Sequence, residues 1–445
     1  MKNIFSWIVC GCLVVGSTSC DAFLPENPSV SIPDTEAFSS ASDFVNNLSG
    51  TYYTLGRYGM MGRNIIAMGD ACSDAASHNA ASGNFRHLAL WDVLDTNTDL
   101  EYIWQQGYET IDRASRIIAN ADMVADMPAS SQAEVNSSIA QAYAIRAFVT
   151  FWLTNIWGLP YSDANASTLG VVNVVEPVAA GTTVSRNTVK ENYDHILSDI
   201  QKAKEFFAKE DVEEPGVFYF NPTALIAFEA RVKLFMKDYA GAITAAQSAI
   251  DAFGGSLATT TDAYTAEWTS STASSEDILL FRKSATDNPG SNSLSTLYQL
   301  YGLRVTPSVI AEYPGTDIRV KVISQDGGKF AGTDEGRNAN NIPAFRLSEL
   351  YLTLAEAYAE RGDYAAAKEN LLTLATARNP QYNAAAVPAT AGIVPFIRQE
   401  RKLELLQEGF RFFDARRWGE KITVPQENMQ ILMLLNLVIR FLQVK

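Results

Sequence analysis

FRLSELYLTLAEAYAERGDYAAAKENLLTLATAR, residues 345–378, reads as two helices joined by one tight turn. The first starts near Phe345, the chain turns at Arg361-Gly362-Asp363-Tyr364, and the second runs to about Arg378. Residues 221–250 read as a copy of the same unit. Asn221 is a good N-cap, and Pro222 falls at the first helical position, where its missing N–H costs no hydrogen bond. That helix runs to about Met236, turns at Lys237-Asp238-Tyr239, and is followed by another to about Ile250. Aligning Asp238 with Asp363 also matches Ala230 with Ala355, Tyr239 with Tyr364 and Ala242 with Ala367. Small residues at those points let antiparallel helices approach closely, as in tetratricopeptide pairs. The spacing predicts tetratricopeptide-like units over about 222–252 and 346–378 in an all-α scaffold. The copies are not contiguous, so no regular solenoid is expected.

Helical periodicity extends outward from these units. Leu100, Ile103, Trp104, Ile111, Ala114 and Ile118 form one apolar stripe at three- and four-residue steps. Ser131-Gln132-Ala133-Glu134 reads as a capping box opening a run to Trp157 that is apolar almost all round, hence central. Thr188-Val189-Lys190-Glu191 is a second box, ahead of an amphipathic helix with Tyr193, Ile196, Ile200 and Phe207 on its apolar face. Between the helices lie polar stretches at 69–99, 158–187, 253–295 and 324–344. Loops of that length in a helical body usually carry function.

Of the 445 residues, 47% are hydrophobic and 19% charged, ordinary globular values that predict a buried core. The net charge of −15 repels phosphate backbones, so no nucleic-acid partner is expected, and it opposes docking on anionic lipid through a basic face. Lys2, the apolar Ile4 to Val15 and the small residues Ser17-Thr18-Ser19 ahead of Cys20 read as a secretory signal over 1–19. A cysteine in that place resembles a lipoprotein cleavage site, with Cys20 as the acylated first residue. Residues 20–35 have two prolines before Ser29 and no period, and read as a tether. Cys72 is then the one remaining thiol, so the core rather than a disulfide must hold the fold.

The search for catalytic chemistry returns little. His78, His87 and His195 form no metal-binding pair, and His195 reads as a solvated histidine on the polar side of its helix. Gly56-Arg57-Tyr58-Gly59-Met60-Met61-Gly62 has the wrong glycine spacing for a phosphate loop. Asp95-Thr96-Asn97-Thr98-Asp99 begins like a calcium loop, but Leu100 stands where glycine is required and Gln106 where a bidentate glutamate is. No catalytic residue, metal or cofactor is implied. Sugar binding needs flat apolar rings beside amide, carboxylate or guanidinium groups. Three stretches offer both. One holds His78, Asn79, Asn84, Phe85 and Arg86 with Trp91, the second Tyr264 with Trp268, and the third Tyr298 and Tyr301 with Arg304. The competing expectation for each ring is burial as a loop anchor, the commoner fate of a large aromatic. Trp104, Trp152 and Trp157 read as core.

Several ordered blocks then carry a resemblance. Arg346-Leu347-Ser348-Glu349-Leu350-Tyr351-Leu352, Ala355-Glu356-Ala357-Tyr358, Arg398-Gln399-Glu400-Arg401-Lys402-Leu403-Glu404 and Glu408-Gly409-Phe410 through Trp418-Gly419 resemble the SusD/RagB family of Bacteroidetes outer-membrane lipoproteins. So do Arg146-Ala147-Phe148 leading into Trp157-Gly158-Leu159-Pro160-Tyr161, the pair Tyr193-Asp194 with Asp199-Ile200, and Tyr313 with Asp317-Ile318-Arg319. The resemblance covers about 21 to 420. It implies a surface-exposed lipoprotein, held in outer-membrane lipid by Cys20, that binds a glycan and acts as the lid of a SusC-like TonB-dependent transporter. Peptide-binding relatives and a ligand-free scaffold role stand as alternatives, and a glycoside hydrolase as a remote one. It also implies ion pairs by Arg411, Asp414, Arg416 and Arg417 around Phe412, Phe413 and Trp418. The apolar tail 421–445 departs from the proline- and asparagine-rich ending usual in the family.

Overall fold

The computed structural model describes residues 37–79, 81–179, 181–209, 212, 215–423 and 431–432. Its long helices are, in chain order, α1 (Ala41–Leu55), α2 (Thr98–Ala119), α3 (Ala129–Trp157), α4 (Val189–Phe207), α5 (Pro222–Phe235), α6 (Tyr239–Phe253), α7 (Leu347–Glu360), α8 (Tyr364–Arg378) and α9 (Val394–Glu404). The expected signal peptide, Cys20 and the tether lie outside the described residues.

The two repeated units form as their sequences dictate. Asn221 Oδ1 accepts the N–H of Ala224 at 2.8 Å and caps α5. The aligned aspartates are caps as well. Asp238 takes the N–H of Gly241 at 3.0 Å to open α6, and Asp363 takes that of Ala366 at 3.1 Å to open α8. Although residues 254–346 separate the units along the chain, α6 packs directly on α7. Ala242 of the first unit is buried beside Ala357 of the second, with Leu234 closing the contact. The small residues therefore serve the stacking between units as well as the approach within one.

The stack continues towards the N-terminus. α5 lies against α4, α4 against α3, and α3 against α2 and α1. From Val135 to Trp157 every residue of α3 but Tyr143 is buried, as its apolar circumference requires. Phe148 at its centre meets Phe220, Phe228, Phe281 and Phe345 at 5.5–5.9 Å, edge-on. One expectation fails locally. α3 begins at Ala129 after Pro128, whose extended backbone starts the helix early, and the N–H of Ser131 already bonds to the carbonyl of Pro128 inside the first turn. The box at Thr188 forms as read, reciprocally with Glu191.

Short two-stranded ribbons are added to this helical body. β1 (Ala76–His78) pairs antiparallel with β3 (Leu303–Val305), and β2 (Asp277–Phe281) with β4 (Ile342–Arg346), the latter running straight into α7. The stretch 253–295 is thus not one loop, since it holds a helix, Thr261–Thr269, and the fully buried β2. Of the tail, Ile422–Thr423 pairs with Ile431–Leu432, and residues 433–445 lie outside the described set.

Candidate functional site

β1 and β3 bring together two of the three expected platforms. Ser77 pairs with Arg304 and His78 with Leu303. Beyond the strands, the Asn79 N–H donates to Gly302 O at 2.9 Å, and the Ser82 hydroxyl to Tyr301 O at 2.7 Å. Gly302 sits at φ +98°, and a Cβ there would lie 2.3 Å from Asn79 Oδ1, so only glycine allows this crossing. The result is a rim on which Asn79, Arg86 and Arg304 are exposed and Asn84, Trp91 and Tyr301 half-buried. His78 is buried below it, its Nε2 3.0 Å from the carbonyl of Asn84, and burial lowers its pKa.

Four expected ring platforms are core instead. Phe85, Tyr264, Trp268 and Tyr298 are all buried. The reason lies in the charges beneath them. Lys329 Nζ sits 4.4 Å from the Trp268 ring centre and the Arg346 guanidinium 5.2 Å from it, while Arg378 lies 5.0 Å from Tyr264. Phe330 fills the space between Trp268 and Tyr298, 6.3 and 6.4 Å from their centres. These faces cover buried cations and leave none for a ligand. Phe85 is held at φ 56° with its N–H on Asp99 Oδ2 at 3.2 Å, and the Arg63 guanidinium covers its ring at 5.4 Å. Trp91 also has φ 56°, and its ring packs on Phe412 at 6.1 Å. His195 is not solvated either, as its side chain is 10% exposed with Nε2 3.6 Å from Asp199.

Next to the rim the structure opens a cleft of about 1180 Å³ that the loop reading missed. One wall is the C-terminal turn of α1. Adjacent helical residues point about 100° apart, and Tyr52 and Tyr53 show the consequence. The Tyr52 hydroxyl donates to Gln141 Oε1 at 2.8 Å and accepts the Phe220 N–H at 2.7 Å, whereas Tyr53 projects outward, 63% exposed. Tyr219 stands edge-on to Tyr52 at 5.2 Å and is 49% exposed. The opposite wall is the end of β2 with residues that follow it, Phe281, Arg282, Lys283, Ser284 and the turn to Asn292. Arg63 links cleft and rim, bonding Asn292 Oδ1 at 3.3 Å and lying 5.1 Å from the Tyr58 ring. The run from Gly56 to Gly62 makes the sharp reversal at the head of the cleft, where Gly59 donates its N–H to Gln106 Oε1 at 3.0 Å. The sequence signal for this site was the pair Tyr52-Tyr53 followed by Gly56-Arg57-Tyr58, a helix end with clustered tyrosines.

The segment resembling a calcium loop has structural duties. Asn97 Oδ1 caps α2 through the Leu100 N–H at 3.0 Å, and Asp99 holds Phe85 and lies 3.7 Å from Arg63. Among the described residues, no three His, Cys, Asp or Glu side chains converge as a metal site, and no helix is long and apolar enough to cross a membrane.

Helix and site together define a class, a tetratricopeptide-like scaffold that presents an open, tyrosine-walled cleft on its loops. Two family models match in tandem, "Starch-binding associating with outer membrane" over residues 22–234 and "SusD family" over residues 239–434. The chain belongs to the SusD/RagB family. A SusD-like protein of Formosa agariphila is 23% identical across 91% of this chain and 89% of its own length. The crystal structure of a putative sugar binding protein from Bacteroides vulgatus superposes with a TM-score of 0.79 at 27% identity, covering 87% of this chain and 88% of that one. A SusD superfamily protein from Bacteroides thetaiotaomicron shares the fold at a TM-score of 0.77 and 23% identity, over 89% and 92% of the two chains.

Proposed function

We propose that this protein is a non-catalytic capture protein of the outer membrane, which binds an oligosaccharide or polysaccharide in the tyrosine cleft and passes it to a SusC-like TonB-dependent transporter. Acylated Cys20 would hold it at the cell surface. The observation that carries the reading is the cleft itself. Tyr53 and Tyr219 are exposed beside Arg57, Arg282, Asn288 and Asn292, which supplies the mixture of aromatic and hydrogen-bonding surface that a pyranose needs. The polar rim of Asn79, Asn84, Arg86, Trp91, Tyr301 and Arg304 extends that surface for a longer chain. A wide, open site of this kind gives modest affinity per sugar.

Isothermal calorimetry of the chain lacking residues 1–20 against a glycan panel tests it. Tyr53→Ala and Tyr219→Ala should each weaken a bound oligosaccharide by roughly tenfold, about 1.4 kcal/mol, with the melting temperature unchanged in Tyr53→Ala. A glycan and peptide screen without a single binder would defeat the capture role.

A further inference from the structure

Lys283 is a buried cation with no salt bridge among the described residues. The residue is 7% exposed, its backbone N–H donates to Asn341 Oδ1 at 2.9 Å, and among the described residues its Nζ has neither a hydrogen bond nor an ion pair. The other deeply buried cations are compensated. Arg146 has Asp199, Arg231 has Glu349, Lys329 has Glu408, and Arg416 has the carbonyls of Asn155 and Gly158. An uncompensated buried ammonium costs several kcal/mol, and burial does hold the Lys283 pKa below its usual value, with Asp287 opposing.

Its position is that of a cleft group. Lys283 lines the wall facing α1, and a Cβ built on Gly56 would lie 2.9 Å from its Nζ, which puts the ammonium at the α1 end beside the Tyr52 and Tyr53 carbonyls. Arg282, the residue before it, is exposed, its guanidinium 5.4 Å from the Phe218 ring and 3.7 Å from Glu335. Glu335 spends its other oxygen on the Ala285 N–H at 3.0 Å. Arg57 on the opposite wall is paired with Glu109 at 3.1 Å, and Asp287 is exposed on the turn. In a chain of net charge −15, this wall keeps one cation with only the field of Asp287 and no salt bridge among the described residues, and a second held only at 3.7 Å.

We infer that Lys283, helped by Arg282, binds an anionic substituent, a uronate carboxylate or a sulfate ester, on a glycan whose rings rest on the tyrosines of the cleft. The inference rests on the capture reading above and narrows it to acidic glycans. A neutral hydroxyl only hydrates the ammonium, whereas an anion supplies the counter-charge that the protein omits.

Calorimetry on the full chain in detergent micelles separates the two. The probes are an oligogalacturonate, a sulfated galacto-oligosaccharide and a malto-oligosaccharide of equal length, at about 0.05 M and about 0.5 M salt. An acidic probe should bind about tenfold tighter than the neutral one at low salt and lose that margin at high salt. Whichever acidic probe does so identifies carboxylate or sulfate as the group. Lys283→Gln should erase the margin between the acidic and neutral probes, and Arg282→Gln, an exposed site, should reduce it. Equal binding of all probes, or an equal loss for all in Lys283→Gln, overturns the inference and leaves glycan capture standing. If Lys283→Gln does not fold, an undiminished margin in Arg282→Gln overturns it. Binding of neither acidic probe overturns this inference, and the capture reading is then decided by the glycan and peptide screen.

Discussion

Arg346 gathers three buried carboxylates. Its guanidinium reaches Glu408 at 2.6 Å, Glu404 at 3.0 Å and Glu276 at 3.5 Å, while Arg378 and Arg319 hold Glu404 from other sides at 2.9 and 3.0 Å. Burial pushes the Glu404 carboxyl up, but Arg378 and Arg346 outweigh it and keep its pKa well below the ordinary range. Glu267, close by without a bonded cation, is raised well above its usual value by burial and by Glu276. Arg346→Met takes one cation from three buried carboxylates and leaves them to Arg378, Arg319 and Lys329, which should cost about 3–5 kcal/mol in urea unfolding; a loss below about 1 kcal/mol would mean that these pairs contribute little. Asp70 gives a pH test. Burial raises its pKa to about 7, though Tyr298 donates to it at 2.6 Å and Gly409 at 3.2 Å. Because the folded value exceeds the unfolded one near 3.8, its contribution is fully present below about pH 4 and is lost as pH rises through about 7. The stability of the native chain relative to Asp70→Asn should fall across that window, and a constant difference between them would refute the assignment. At this scale the sequence was half legible. The blocks containing Arg346, Glu404 and Glu408 stood out, and Arg411, Asp414 and Arg417 do pair, with Asp74, Arg401 and Glu356 respectively. Arg416 does not, because it closes the C-terminus of α3 instead. Nothing in the composition of a loop separates a ring that covers a buried cation, such as Trp268, from one that meets solvent, such as Tyr53.

At the scale of elements, the reading succeeded where local rules decide and failed where partners are remote. Asn221 and Thr188 cap the helices they were expected to cap, and Asp238 and Asp363, read only as turn residues, cap theirs as well, since a cap is settled within four residues. β2 was missed because its pairing with β4 joins residues some 60 positions apart, and Ile278 to Phe281 is too short an apolar run to declare itself. The contact of α6 on α7 yields a direct prediction. Ala357→Leu would force a branched side chain between Leu234 and Ala242, so it should cost about 1–3 kcal/mol and lower the melting temperature. An unchanged melt would mean that the two units do not stack as described. Gly302→Ala tests the ribbon, where strain at φ +98° and the clash with Asn79 should together cost roughly 1–3 kcal/mol.

Over the whole molecule, stability should grade from the interior of the stack outward. Hydrogen exchange followed by mass spectrometry should find α3 among the slowest segments and the polar excursion 158–187 among the fastest, because one is buried almost throughout and the described residues of the other are nearly all exposed or half-buried. Comparable rates would contradict the central place of α3. The stacking of α6 on α7 across residues 254–346 also bears on how the chain is made. A nascent polypeptide emerging N-terminus first displays the alanine face of its earlier hairpin long before the later one exists to cover it. Such delayed closure slows folding, as the contact joins distant parts of the chain. The earlier hairpin would spend that interval with its apolar contact face uncovered.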